Sequence, residues 1–238
     1  AGKTSYMAGK KENASYASYY SRGRSHTTGR PPVVGAVGLV NLGNTCFMNS
    51  MLQCLSNTPP LRDFFTGDKF AVDLNRDNVL GHGGKLAESY GKLMTAMWSD
   101  EYSVCCPTDF KATIGEFQPQ FAGYQQQDSQ EFMQFLLDGL HEDCNRIAKK
   151  PYVETVESNA RADDIVSKEA WHAYKRRNDS VMTDRCFGQL RSHVTCPNCS
   201  RESVTFDAFS SLSLPIPVEP KKSYSITLVP HGLTGQPV

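Results

Sequence analysis

The segment "DSQEFMQFLLDGLHEDCNRI", residues 128–147, constrains the fold more than any other. Phe132, Phe135, Leu136, Leu140, Cys144 and Ile147 recur at helical spacing, so one face of this segment must be buried against other elements. Asp128 stands where an N-cap belongs and Glu131 follows three residues later, which is the pattern of a capping box. The apolar stripe predicts a helix from Asp128 down towards Pro151, which cannot continue it.

Covering elements are legible upstream. Phe47, Met48, Met51, Leu52 and Leu55 predict a helix from Phe47, stopped by Asn57-Thr58-Pro59-Pro60. Leu86, Tyr90, Leu93, Met94 and Met97 predict a second over about residues 84–98, and Phe110 with Ile114 a short one from Thr108. Residues 151–166 read as a polar loop, and Ser167 as the cap of a short helix carrying Ala170, Trp171 and Tyr174. After Asn178 the texture changes. "VMTDRCFGQLRSHVT" and "ESVTFDAFSSLSL" are β-branched, aromatic and partly alternating, as strands are, and they flank "CPNC". Helices first and strands later predict an α+β protein with segregated regions. The divisions that follow are a basic arm over 1–32, a helical region over 33–180, strands with a CxxC over 181–217, and a tail over 218–238. The arm is rich in Ser, Tyr, Gly and Arg with almost no aliphatic side chain, a composition expected to stay disordered.

Bulk properties bound the partners. The 238 residues carry 25 basic and 25 acidic side chains, a balance that favours neither nucleic acid nor an anionic membrane as partner. No run of 18 apolar residues and no apolar signal segment is present, so a cytoplasmic or nuclear protein without a membrane span is expected. Eight unevenly spaced cysteines in a chain of this length point to free thiols, metal ligands or a catalytic thiol rather than a disulfide framework.

One cysteine is placed for chemistry. In "NLGNTCFMNS", Cys46 falls where a loop turns into a helix. The positive end of the helix dipole and unsatisfied N–H groups there favour the thiolate. The same N–H groups can receive an oxyanion formed when the sulfur attacks a carbonyl, Asn41 can add a side-chain amide, and Gly43 permits a sharp approach. A cysteine that merely fits a helix start remains the plain alternative.

"GLVNLGNTCFMNSMLQCL" resembles the cysteine box of the ubiquitin-specific proteases, and "GYQQQDSQEFMQFLLDGLHEDCN" resembles their second signature, the Gln-Gln-Asp box. "RSHVTCPNCSRESVTFDAFSSLSLPIP" is similar to the family's finger region, so the resemblance spans about residues 38–217 in order. "WHAYKRRNDS" and "FDAFSSLSLPIP" look most like the multidomain enzymes of the family. The resemblance implies a papain-like fold of helical thumb, β fingers and palm, and a thiol peptidase cleaving after the C-terminal glycine of ubiquitin. It implies Cys46 as nucleophile, Asn41 as the oxyanion-hole amide, and Gln126, Asp128 and Glu131 as holders of the ubiquitin tail, whose arginines such carboxylates would pair. For Asp128 and Glu131 a capping box alone is a sufficient explanation. Phe47 departs from the tyrosine usual in the family, losing a hydroxyl but keeping the ring. Ubiquitin and ubiquitinated proteins are the implied partners.

Cys196-Pro-Asn-Cys199 between two strand candidates has the shape of a zinc knuckle, but a structural zinc needs four ligands and this motif supplies two. The family completes the site with a second CxxC, which does not follow here. His193 and Cys186 stand as candidates for improvised third and fourth ligands, so a half-site for zinc is expected. No cofactor is expected for catalysis. A thiol peptidase also needs a general base, which the family draws from a late histidine box. None of His26, His82, His141, His172, His193 or His231 stands in such a box, and only the "HG" of His231 echoes it. The chain is therefore expected to be an incomplete catalytic domain, inactive alone, with the palm and its histidine largely absent. Two rivals stand beside the deubiquitinase: a non-catalytic ubiquitin-binding pseudoenzyme, and a zinc-knuckle interaction module in which Cys46 is structural.

Overall fold

A computed structural model describes residues 26–67, 69–159, 161–217 and 223. Most of the arm expected over 1–32, and the tail after 217 with His231, lie outside the described residues apart from residues 26–32 and 223.

Eight helices run through the described residues: α1 (Cys46–Ser56), α2 (Pro59–Phe65), α3 (Lys69–Asp73), α4 (Lys85–Trp98), α5 (Thr108–Phe117), α6 (Ser129–Asp143), α7 (Asp163–Lys175) and α8 (Val181–Cys186). A 3-10 turn, Pro119–Phe121, follows α5. Three short strands, β1 (Thr27–Thr28), β2 (Gly38–Leu39) and β3 (Tyr102–Cys105), form a small sheet with β3 central, antiparallel to β1 and parallel to β2. β4 (Gly188–Thr195) and β5 (Glu202–Phe209) form an antiparallel hairpin in continuous register from Gly188 opposite Phe209 to Thr195 opposite Glu202. This is the expected α+β architecture.

The core is helical. Leu52 of α1, Phe65 of α2, Leu86 and Met94 of α4, Ile114 of α5, and Phe132 and Leu136 of α6 are fully buried in one cluster that also takes in Met182 of α8. The longer core helices α1, α4, α5 and α6 contribute the apolar stripes their spacing predicts, and burial of these stripes is the main stabilisation of the assembly. The hairpin stands outside this cluster and packs its β5 strand on α7.

Four local expectations are corrected. Pro59 and Pro60 do not simply end α1; after extended Thr58 they occupy the first positions of α2, where a missing N–H costs nothing. The helix from Asp128 stops at Asp143, and Ile147 lies beyond it. Ser167 sits inside α7, which begins at Asp163; Asp163 and Asp164 in its first turn suit the positive helix end. Residues 181–186, expected as strand, form α8, because Ser180 caps it by accepting from the Thr183 N–H and because Met182 and Thr183 are buried by the helical turn. Tertiary burial and a cap override β propensity there.

Candidate functional site

The loop ahead of α1 is held from both ends. One turn into the helix, Asn49 Nδ2 donates to the Val40 carbonyl at 3.1 Å, and Gln53 Nε2 donates to the Val37 carbonyl at 2.8 Å, so residues 37–40 are pinned along α1. Inside the loop, Asn41 Oδ1 accepts from the N–H of Gly43 (3.0 Å), the N–H of Thr45 (3.1 Å) and the Thr45 hydroxyl (3.2 Å). Buried Thr45 Oγ1 accepts in turn from the Leu42 N–H at 2.9 Å. With its oxygen engaged inward, Asn41 has its amide nitrogen left over on an exposed residue. Cys46, the first residue of α1, is exposed, and Thr45 provides no side-chain cap. The first N–H groups of α1 are accordingly not taken up by a side-chain cap beside the sulfur.

Gly43 and Asn44 both take the left-handed backbone, at φ 110° and 52°. A Cβ at Gly43 would lie 3.0 Å from the ring of Tyr124, and Asn44 Nδ2 donates to the Tyr124 carbonyl at 2.9 Å. The Cys46 loop thus rests directly on Tyr124, in the segment that leads into α6. Phe47 reinforces the contact by packing between Phe121 and Phe132, with ring centroids 5.7 and 5.6 Å away. That slot is filled by the plain phenyl ring of Phe47, which carries no hydroxyl to partner.

At the start of α6, Asp128 Oδ1 accepts from the N–H groups of Gln130 (2.7 Å) and Glu131 (3.1 Å). Both caps use one oxygen, and Oδ2 has no partner among the described residues. The capping box closes only halfway, since Glu131 does not reach back to the Asp128 N–H. Gln126, Asp128 and Glu131 are all exposed. The packing of Tyr124 on the Cys46 loop therefore brings the two sequence signatures to one surface. Sequence reasoning passed over Asn44 and Tyr124. The available signal was the pair Gly43-Asn44, two residue types that tolerate positive φ, set directly before the cysteine turn.

The CxxC forms a tight turn at the tip of the hairpin: the Cys196 N–H donates to the Arg201 carbonyl and the Ser200 N–H to the Cys196 carbonyl, both at 2.9 Å. The Cys199 N–H, then the Asn198 N–H and the Cys199 thiol, lower the pKa of the Cys196 thiol below its ordinary value. Sulfur receiving backbone N–H groups suits a metal-binding thiolate, so the pair fits half of a zinc site. The improvised ligands are not brought to it. His193 Nε2 lies 3.6 Å from Glu202 Oε2 across the hairpin, Cys186 ends α8 against the helical core, and no group of three potential ligands occurs among the described residues.

No described histidine serves Cys46. His26 accepts from the Cys106 N–H, His82 stacks on Phe117, His141 is buried against Ser180, His172 is exposed on α7, and His193 faces Glu202.

Comparison with known proteins places the chain in a family. The family model described as ubiquitin carboxyl-terminal hydrolase matches residues 37–234. Ubiquitin carboxyl-terminal hydrolase 15 of Xenopus tropicalis is 50% identical over 215 residues, 90% of this chain and 22% of that protein. Ubiquitin carboxyl-terminal hydrolase 4 of Bos taurus is 54% identical over 196 residues, 82% of this chain and 20% of that protein. The chain thus spans about a fifth of the length of these curated relatives. Among solved structures, the SAGA DUB module of Ubp8, Sgf11, Sus1 and Sgf73 bound to monoubiquitin superposes with a TM-score of 0.50 at 20% identity, covering 83% of this chain and 40% of the matched one. That likeness establishes the fold.

Proposed function

This chain belongs to the ubiquitin carboxyl-terminal hydrolase family, and from that premise we propose that it carries the nucleophile and one wall of the substrate cleft of a cysteine deubiquitinase acting on ubiquitin conjugates. The observation that carries the proposal is the Asn41-braced loop, which presents exposed Cys46 at the first turn of α1 beside the opening of α6. In this reading the Cys46 sulfur attacks the carbonyl carbon of ubiquitin's terminal glycine. The N–H groups at the start of α1 and the outward amide of Asn41 receive the developing oxyanion. Collapse breaks the C–N bond, expels the amine with a proton from the general acid, and leaves a thioester that water hydrolyses. The histidine that accepts and returns this proton comes from outside the described residues. Asp128 Oδ2, the Glu131 carboxylate and the Gln126 amide hold the extended tail and its arginines. Cys196 and Cys199 supply two thiolates of a structural zinc site whose other ligands also lie outside the described residues.

The test is a ubiquitin derivative bearing a C-terminal electrophile, incubated with the full-length protein. One adduct at Cys46, abolished by Cys46→Ala, is expected, together with cleavage of ubiquitin conjugates. Full-length protein that leaves conjugates intact would overturn the proposal. The engagement of His26, His82, His141 and His193 with other partners favours a second reading, a ubiquitin-binding pseudoenzyme. Ubiquitin affinity that persists in Cys46→Ala, with no hydrolysis by the parent, selects it.

A further inference from the structure

The contact between the nucleophile loop and the segment opening α6 is built from more parts than packing requires. Asn44 holds a left-handed backbone and donates through Nδ2 to the Tyr124 carbonyl across 80 positions of sequence. The Tyr124 ring lies so close to Gly43 that any side chain there would push it aside. From the other flank, Lys111 of α5 donates through Nζ to the Ala122 carbonyl at 2.7 Å and sits 5.0 Å from the Tyr124 ring centroid, a cation–π distance. Three segments (43–44, 111 and 122–124) therefore meet at Tyr124, with Asn44 two residues before Cys46 and Tyr124 four before Asp128. These contacts lie at the surface, with Asn44 and Tyr124 both exposed, so they add little to core burial.

We propose that Asn44, Tyr124 and Lys111 form a clasp that sets the register between the nucleophile and the residues receiving the substrate's tail, with Asn44 as its positioning residue. The inference rests on the deubiquitinase reading for its catalytic consequence. A peptide carbonyl must reach the sulfur at about 3–3.5 Å, and a displacement of about 1 Å can cost on the order of a hundredfold in rate. Asn41 fixes the loop internally and Phe47 anchors the start of α1 on Phe121 and Phe132, whereas the clasp ties the residues ahead of the sulfur, 43–44, to the segment that leads into the Gln126–Glu131 surface. Loss of the clasp leaves the tail bound and the sulfur out of line with the carbonyl. The effect should therefore fall on kcat rather than on KM.

Asn44→Gly isolates the tether, because glycine keeps the positive φ without strain and removes only the amide. In the full-length protein, kcat for a ubiquitin substrate should drop by roughly tenfold with KM within about twofold and thermal unfolding unchanged. Lys111→Met should lower kcat in the same direction. Hydrogen exchange provides a readout independent of the reaction: Asn44→Gly should speed exchange in residues 41–45 and in 122–127 together, with the rest of the protein unchanged. If the parent protein does not cleave ubiquitin conjugates, the deubiquitinase reading fails while the exchange result still decides the clasp. Unchanged exchange in 122–127, or a parent-like kcat in Asn44→Gly, overturns the clasp.

Discussion

The imidazole of His141 sits inside a set of short polar contacts where α6 meets the start of α8. Nδ1 is 2.7 Å from Ser180 Oγ and 3.3 Å from Thr183 Oγ1, and Nε2 is 3.4 Å from Asn178 Oδ1. Ser180 Oγ already accepts from the Thr183 N–H, so its own hydrogen is free to point at Nδ1, which leaves the Nε2 proton for Asn178. The neutral ring satisfies every partner. A second proton would oppose the Ser180 hydroxyl hydrogen. Burial lowers the pKa of His141, and nearby Lys150 pushes the same way, against Glu142, Asp138 and the Asn178 hydrogen bond. A histidine pKa lowered on folding gives stability that is complete above the unfolded value, about 6.5, and is lost as pH falls from there towards the folded value. The unfolding free energy from urea titrations should therefore fall between pH 7 and pH 5, by at most about 1.4 kcal/mol per pH unit from this residue. His141→Gln should flatten that slope, and an unchanged slope in the variant would assign the pH dependence elsewhere.

Helices were legible wherever one apolar face and one clear boundary coincided. α4 shows Leu86, Tyr90, Leu93, Met94 and Met97 buried as their spacing predicts, and α5 does the same with Phe110 and Ile114. Short elements were not legible, because α2, α3 and α8 hold only two turns or fewer, too little for a period to emerge, and the burial of α2 and α8 comes from neighbours distant in sequence. At the site, Cys46, Asn41 and Asp128 could be picked out because each belongs to a local motif. The tether from Asn44 to Tyr124 could not, since its partner is a backbone carbonyl that carries no sequence signature. At the head of α6, capping and substrate binding can be separated experimentally. Asparagine caps as well as aspartate, so Asp128→Asn should leave stability within about 0.5 kcal/mol, while Asp128→Ala should cost about 1 kcal/mol. If Asp128 Oδ2 pairs with an arginine of the tail, both variants should raise KM for a ubiquitin substrate, by roughly tenfold. A KM unaltered in Asp128→Asn would reduce this residue to a helix cap.

Across the whole molecule, the end of α6 is the junction on which the packing depends, and it lies where the sequence suggested an uninterrupted helix. Buried Asp143 turns its carboxyl group towards the start of α4: Oδ1 accepts from the His82 N–H at 2.6 Å, and Oδ2 from the N–H groups of Leu86 and Ala87, both at 3.1 Å. α4 begins at a left-handed glycine, Gly84, with no side-chain cap of its own, so its first-turn donors depend on a carboxyl group about sixty positions away. The next residues extend the junction. Asn145 Oδ1 accepts from the N–H groups of Ile147 and Asp179, its amide donates to the Arg177 carbonyl, and Arg146 bridges Asp73, the last residue of α3, and Asp179 before α8. Ending α6 at Asp143 thus frees Asp143, Asn145 and Arg146 to join α3, α4, α7 and α8, which a longer helix would prevent. Asp143→Ala leaves three N–H groups without their acceptor, two of them in fully buried residues. Because unsatisfied buried donors cost about 1–3 kcal/mol each with partial relaxation, a loss of about 3 kcal/mol is expected in urea unfolding. Asp143→Asn keeps one acceptor oxygen but points N–H groups at a donor, so it should fall between the parent and Asp143→Ala. The loss should appear with an unchanged denaturant slope, as removal of one native interaction requires. A loss below about 1 kcal/mol in Asp143→Ala would show that water replaces the carboxyl group and that α4 is held in place by its apolar face alone.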